Sequence, residues 1–102
     1  SGGFNVYPSQ VEAAIRSLPG VADVAVVGVP VADATEEVTA AIIMEEGAQR
    51  LTLEQVQQWA EKSIAHYALP RQIVFIAELP RNQMGKILRR KVAQVVREKL
   101  GR

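Results

Sequence analysis

Residues 21–30, VADVAVVGVP, are rich in valine and end at a proline. Valine favours the pleated strand conformation and proline cannot extend a hydrogen-bonded ladder, so this stretch predicts a strand over residues 21–29. Residues 38–44, VTAAIIM, are almost continuously apolar, which is typical of a strand that is covered on both faces. A polar loop over residues 31–37 joins the two. The sequence therefore predicts two successive strands, the second of which is buried.

Helical patterns lie before and after these strands. Pro8 suits the first position of a helix, and apolar residues then recur at helical spacing until a Pro-Gly pair interrupts them, which predicts a helix over residues 8–18. Thr52 and Gln55 fit a capping box, in which each side chain serves a backbone N–H group at the helix start. A second helix is therefore predicted to begin there.

The last third of the chain predicts one more strand and one more helix. Residues 73–76 are a short apolar run, and from Lys86 onward apolar residues recur at helical spacing. Strands and helices thus mix along the chain without an internal repeat. The predicted fold class is α+β, a small three-stranded sheet packed with about three helices.

The composition limits the class of protein. A chain of 102 residues with 48% apolar residues is expected to form one domain and not to be disordered. No apolar run approaches the roughly 18 residues that span a bilayer, and the N-terminus lacks the pattern of a signal peptide. We expect a cytoplasmic domain, with peripheral membrane contact left open. Cysteine is absent and His66 is the one histidine, so no metal site is predicted.

The near-neutral net charge conceals an uneven distribution. Residues 1–80 carry four basic and ten acidic groups, whereas residues 81–102 carry eight basic groups and one acidic group. The residues after Arg90 form either a solvated helix face that suits the helix dipole or a basic module that binds an anion or nucleic acid. Because no aromatic residue follows Phe75, the side chains needed for base stacking are missing and nucleic acid is the weaker alternative.

Residues 78–90, ELPRNQMGKILRR, carry the strongest local signal for function. Gly85 predicts a turn that places Lys86 at the start of the third helix, with a long and mobile cationic side chain. The segment is not a phosphate-binding P-loop, because that motif requires glycine at the position of Pro80 and serine or threonine at that of Ile87. From spacing alone, both an active-site lysine and a chance Gly-Lys pair stay open.

A known family shares these residues. Residues 80–90, PRNQMGKILRR, resemble the last core motif of the AMP-forming adenylating enzymes, which include acyl- and aryl-CoA synthetases, peptide-synthetase adenylation domains and luciferase. Residues 3–12, GFNVYPSQVE, are similar to an earlier motif that follows the interdomain hinge, although Gln10 stands where the family usually has glutamate. Residues 21–28 and 67–70 also resemble the family. The resemblance implies one small C-terminal domain over residues 1–102, without the larger N-terminal domain and the hinge.

The resemblance implies a two-step reaction. A carboxylate first attacks the α-phosphate of ATP and releases pyrophosphate, and the thiol of CoA then attacks the acyl-adenylate and releases AMP. Lys86 is implied as the catalytic cation of the first step, where it acts as a charge and not as a base. ATP/AMP, CoA and Mg²⁺ are implied for the full-length enzyme, with none bound tightly by this domain alone.

Further site residues are implied in both motifs. The earlier motif would turn towards the active site in the second step, where Gly2, Gly3, Phe4 and Asn5 are expected to line the substrate and CoA channel. Two glycines allow the close backbone approach that a narrow channel requires. Arg81, Arg89 and Arg90 are candidates for steering phosphate groups, with a solvated face as the competing interpretation.

The implied partner is the N-terminal adenylating domain of the same chain, with an acid, ATP and CoA as substrates. Residues 1–12 look most like bacterial ligases of long-chain fatty acids, so the predicted enzyme is a fatty acyl-CoA ligase. The alternative is a fragment of a peptide-synthetase adenylation domain, in which a carrier-protein arm replaces CoA. The isolated domain is expected to be inactive, because its sequence has no nucleotide loop or magnesium site.

Overall fold

The computed structural model describes residues 6–31 and 35–101 of the chain. These residues form three α-helices, three strands and one short 3-10 helix. In chain order they are α1 (Pro8–Arg16), β1 (Val21–Pro30), β2 (Glu36–Met44), α2 (Leu53–Ala60), the 3-10 helix (His66–Ala68), β3 (Gln72–Phe75) and α3 (Arg89–Leu100). The predicted α+β fold, with a three-stranded sheet and three helices, is confirmed. None of the described helices is long and apolar enough to cross a membrane.

The sheet is mixed and has the strand order β1-β2-β3. β1 and β2 are antiparallel, with Ala25 opposite Ala41, whereas β2 and β3 are parallel, with Ala41 opposite Val74. α2 lies in the connection between the two parallel strands, which cannot be joined by a tight turn. β2 therefore has a neighbour on each side, and within the described residues one edge of β1 has no partner strand.

The helices cover both faces of the sheet. Because successive side chains of a strand point to opposite faces, β1 contributes to two separate core clusters. The cluster on the face of α1 and α2 includes Val11, Ile15, Val24, Val26, Ile42 and Val56, and the cluster on the face of α3 includes Ala25, Val27, Ala41, Val74, Val92 and Val96. The buried residues of β2, which run from Thr39 to Ile42, confirm that this strand is covered on both faces.

The third helix begins later than the sequence predicts. α3 starts at Arg89, because the preceding backbone groups are used by a loop. The N–H group of Lys86 donates to the side chain of Asn82, and that of Leu88 donates to the carbonyl oxygen of Pro80. The prediction that Lys86 stands at the start of this helix is therefore wrong. Lys86 lies in the loop, three residues before the helix.

Candidate functional site

Lys86 lies in an exposed loop between β3 and α3. Arg81 and Ile87 form an antiparallel bridge that closes the loop. Inside it, the N–H groups of Met84 and Lys86 donate to Oδ1 of Asn82 at 2.9 and 3.0 Å. The N–H group of Asn82 in turn donates to the carbonyl oxygen of Lys86 at 2.9 Å. The backbone around the lysine is therefore organised by a single asparagine.

Gly85 has a conformational role in the same loop. Its φ angle is +83°, in the left-handed region where a residue with a side chain is strained. An added Cβ would meet no atom within 4 Å, so the position requires glycine for its backbone angle and not for space. The Gly-Lys pair thus has a structural reason, since the glycine completes the turn that presents Lys86.

The side chain of Lys86 extends from this ordered backbone into solvent. The residue is exposed, and no hydrogen bond or ion pair joins its ammonium group to the rest of the described chain. A lysine in this setting is a strongly hydrated point charge on a flexible stem. The arrangement suits transient contact with an anionic group.

Arg81 fastens this loop to β1. Its Nη2 donates to Oδ2 of Asp23, and its Nη1 donates to the carbonyl oxygen of Gly85 at 2.6 Å. On the other side of Asp23, Arg16 of α1 donates to Oδ1 at 3.2 Å. The N–H group of Val24 also donates to Oδ1, at 2.8 Å. Asp23 therefore links the first helix, the first strand and the lysine loop.

These contacts determine the ionisation of Asp23. Partial burial acts to raise the pKa of its carboxyl group, but hydrogen bonds from Arg81, from the N–H group of Val24 and from Arg16 together outweigh it. The pKa of Asp23 is therefore lowered from its ordinary value of 3.8. The carboxylate is charged at neutral pH, as the two ion pairs require.

A third ion pair, between Glu12 and Arg89, joins α1 to the start of α3. The Glu12 side chain, which is only 5% exposed, accepts from Nη1 of Arg89 through Oε2 and from its Nη2 through Oε1, the latter at 3.0 Å. The N–H group of Val26 also donates to Oε2, at 2.8 Å, and the carbonyl oxygen of Val26 accepts from Nη1 of Arg89 at 3.0 Å. The hydrogen bond to Glu12 raises the pKa of Arg89.

The predicted site residues thus fall into three groups. Lys86 is exposed and unpaired within the described chain, and Arg90 is exposed at the start of α3. Arg81 and Arg89, two of the candidates for phosphate steering, hold internal carboxylates. Gly2, Gly3, Phe4 and Asn5 lie outside the described residues.

The described residues hold no cluster of metal-ligating side chains. No group of three or more histidine, cysteine, aspartate or glutamate side chains within them is placed to hold a metal ion. A cleft of about 300 Å³ lies elsewhere, along α2, and its lining includes Glu54, His66 and Arg71 but none of the predicted site residues.

Sequence reasoning missed the role of Asp23 and the internal partners of the two arginines. Arg81 is 58 residues from Asp23, and Arg89 is 77 residues from Glu12. A pair at such separation leaves no periodic signal in one sequence. The available hint was that both acids and both arginines fall within segments that resemble the adenylating enzymes.

Comparisons with known proteins agree with that resemblance. The family of the AMP-binding enzyme C-terminal domain matches residues 10–86. A 2-succinylbenzoate–CoA ligase of Bacillus cereus is 41% identical over 98 residues, covering 96% of this chain and 20% of the ligase. The mitochondrial malonate–CoA ligase of Bos taurus is 39% identical over 90 residues, covering 88% of this chain and 15% of the ligase.

A solved structure is also similar to this chain. The crystal structure of an acyl-CoA synthetase from Brucella canis aligns with a TM-score of 0.83 and 37% identity, covering 96% of this chain and 18% of that one. This chain therefore spans about a fifth or less of the length of these relatives. The acids in the names of the two ligases are 2-succinylbenzoate and malonate, so these relatives do not single out fatty acids.

Replacing Arg89 by methionine should lower the free energy of unfolding by about 2 kcal/mol or more, because it leaves the buried Glu12 carboxylate without its cation. Arg90→Met, at the exposed neighbouring position, is the matched control and should change stability by no more than about 0.5 kcal/mol. Urea unfolding followed by circular dichroism measures both. Equal effects at the two positions would contradict a structural role for the Glu12–Arg89 pair.

The Asp23 ion pairs should make stability depend on pH. Because the folded-state pKa lies below the ordinary value of 3.8, the carboxylate contributes stability that is present above this value and is lost as the pH falls towards the folded pKa. The stability difference between the parent and Asp23→Asn should thus be constant around neutral pH and shrink below pH 3.8. Urea unfolding at several pH values measures it, and a difference that persists in acid would refute the assignment.

Proposed function

The chain belongs to the AMP-binding enzyme C-terminal domain family, and from this premise we propose that it is the C-terminal domain of an AMP-forming acid–CoA ligase. The observation that carries the proposal is the setting of Lys86. Its ammonium group is exposed and unpaired among the described residues, while the backbone beneath it is hydrogen-bonded. The family match also extends to this residue.

In the proposed adenylation step, an oxygen of the acid's carboxylate attacks the α-phosphorus of ATP and the bond to pyrophosphate breaks. Two anions must approach each other in this step, so a cation that touches both reduces their repulsion and fixes their orientation. Lys86 supplies this charge. It acts as a charge and not as a base.

In the proposed second step, the sulfur of CoA attacks the acyl carbon and the bond from this carbon to the phosphate oxygen of AMP breaks. AMP leaves, and the thiol proton passes to solvent. Lys86 takes no part in this step. The domain turns so that residues of the earlier motif approach the active site. We propose that Gly2, Gly3, Phe4 and Asn5 line the thiol channel there, with the glycines allowing close backbone approach. The N-terminal domain of the same chain supplies the nucleotide loop, the acyl pocket and the magnesium site.

The three candidate arginines are assigned differently in this proposal. Arg81 and Arg89 act within the domain, since each already holds a carboxylate of α1 or β1. Arg90 is exposed and next to Arg89, so it is the arginine we propose for steering phosphate groups. Its exposure leaves its charge available to an anionic ligand.

The proposal predicts that Lys86→Ala separates the two half-reactions of the full-length ligase. Adenylation, measured as ATP–pyrophosphate exchange, should fall by about 10² to 10³, the usual cost of removing one electrostatic stabiliser of a transition state. Thioester formation from supplied acyl-adenylate should stay close to that of the parent, because the lysine acts before this step.

Lys91→Ala is the matched control, since Lys91 is an exposed lysine of α3. It should leave both half-reactions unchanged. The isolated chain, which we propose to be inactive alone, serves as the blank. Equal losses in both half-reactions for Lys86→Ala would mean that the lysine is structural and not catalytic.

For the acid, we propose a long-chain fatty acid, on the likeness of residues 1–12 to bacterial ligases of such acids. Each additional buried methylene contributes about 0.8 kcal/mol, so kcat/KM should rise by up to about fourfold per methylene until the pocket is filled. Pyrophosphate release by the full-length enzyme should be measured with fatty acids of increasing length, malonate and 2-succinylbenzoate. A higher kcat/KM with either of the last two would reassign the substrate.

A further inference from the structure

The loop that carries Lys86 is fastened to β1 on both sides of the lysine. Five residues before Lys86, Arg81 pairs with Asp23 near the start of β1. Three residues after it, Arg89 binds the carbonyl oxygen of Val26 farther along β1. Ile87 packs against the apolar cluster on the face of α3, but residues 81–86 are exposed, and an exposed segment opens easily unless polar contacts hold it. The two arginines therefore help to fix the position of Lys86, together with Asn82 inside the loop.

Arg81 is the arginine that reaches the lysine's own peptide. One nitrogen of its guanidinium group pairs with Asp23, and the other donates to the carbonyl oxygen of Gly85 at 2.6 Å. A guanidinium group is a rigid planar fork, so holding one of its nitrogens fixes the direction of the other. The Gly85 carbonyl belongs to the peptide unit that continues into Lys86. The Arg81 side chain thus connects the carboxylate of Asp23 to the backbone next to Lys86.

Asp23 is itself held in place. Its Oδ1 accepts from the N–H group of Val24 at 2.8 Å and from Arg16 at 3.2 Å, while Oδ2 accepts from Arg81. Both oxygens are therefore used, each by a different part of the domain. An asparagine would offer one acceptor oxygen in place of two, so it cannot keep both sets of contacts.

We propose that Asp23 is a positioning residue of the adenylation step, which holds Lys86 in its productive place by way of Arg81. The inference rests on the proposed function of Lys86. It assigns Asp23 no contact with the substrate or with ATP. Its carboxylate restricts the loop before the substrate arrives, so that the lysine's charge is delivered at a fixed point.

The test compares half-reactions in the full-length ligase. Asp23→Asn should lower the kcat of adenylation by about 10- to 100-fold, the order of loss caused by misplacing a reacting group by about 1 Å. The KM for ATP should change by less than about twofold, because the charge of Lys86 is proposed to act in the transition state and not in the binding of ATP. The rate of thioester formation from supplied acyl-adenylate should change as little, because Lys86 takes no part in that step. Asp23→Glu, which keeps two carboxylate oxygens, should recover part of the lost kcat.

Two further variants test whether Asp23 acts through Arg81 and the Gly85 carbonyl. Arg16→Met removes the other guanidinium partner of Asp23 without touching the loop, and it should leave adenylation within about twofold of the parent. Arg81→Lys keeps the positive charge but loses the fork that joins Asp23 to Gly85. It should therefore lower kcat as Asp23→Asn does and leave the KM for ATP unchanged, whereas an arginine that bound ATP directly would raise this KM.

Lys86→Ala is measured alongside to separate two kinds of failure. If Lys86→Ala abolishes adenylation but Asp23→Asn does not lower it, the positioning role is wrong and the proposed function stands. If Asp23→Asn lowers both half-reactions equally, or if Arg16→Met matches it, Asp23 is a general structural residue and the inference is overturned. If Lys86→Ala leaves adenylation unchanged, the proposed function fails and the inference fails with it.

Discussion

One edge of β1 has no partner strand among the described residues, and this edge is the constraint on which the rest of the domain depends. An edge strand presents unpaired N–H and C=O groups that attract other strands. Here ionic side chains use these groups: the N–H groups of Val24 and Val26 donate to carboxylates, and their carbonyl oxygens accept from guanidinium groups. The four side chains are Asp23, Glu12, Arg16 and Arg89. Two ion-pair clusters thus take the place of a fourth strand.

The ion pair between Glu12 and Arg89 also joins α1 to α3, two helices that do not share an apolar cluster. α1 and α3 pack against opposite faces of the sheet, yet Glu12 and Arg89 meet at the strand edge between them. Removing a carboxylate from water costs several kcal/mol, and this cost is offset only when geometry and hydrogen bonding are nearly complete. Glu12 meets that condition with Arg89 and the Val26 N–H group. The loop that carries Lys86 is joined to the same edge by Arg81 and Arg89, so these contacts restrict its movement as well.

The sequence predicted the elements better than the contacts between them. The first strand, predicted over residues 21–29 and observed over Val21–Pro30, the buried β2 and the capping box at Thr52 each depend on local pattern, and the structure contains all three. The start of α3 was misplaced by three residues, because apolar spacing cannot reveal that the Asn82 side chain uses the N–H groups of the loop. The resemblance to a known family identifies the Lys86 motif, whereas the hydrogen bonds that join its loop to Asp23 through Arg81 are visible only in the three-dimensional structure.

The uneven charge along the chain has a structural explanation as well as a functional one. Residues 81–102 hold eight basic groups, and the acidic groups are concentrated before them. Arg81 and Arg89 use part of this excess on Asp23 and Glu12, so the basic segment is attached to the acidic part of the domain. Arg90, Lys91, Arg97 and Lys99 of α3 stay exposed, so this pairing does not use up the basic face of the helix. It attaches the start of α3 and the loop before it to α1 and β1, and it leaves Lys86 as an exposed, unpaired cation on that loop.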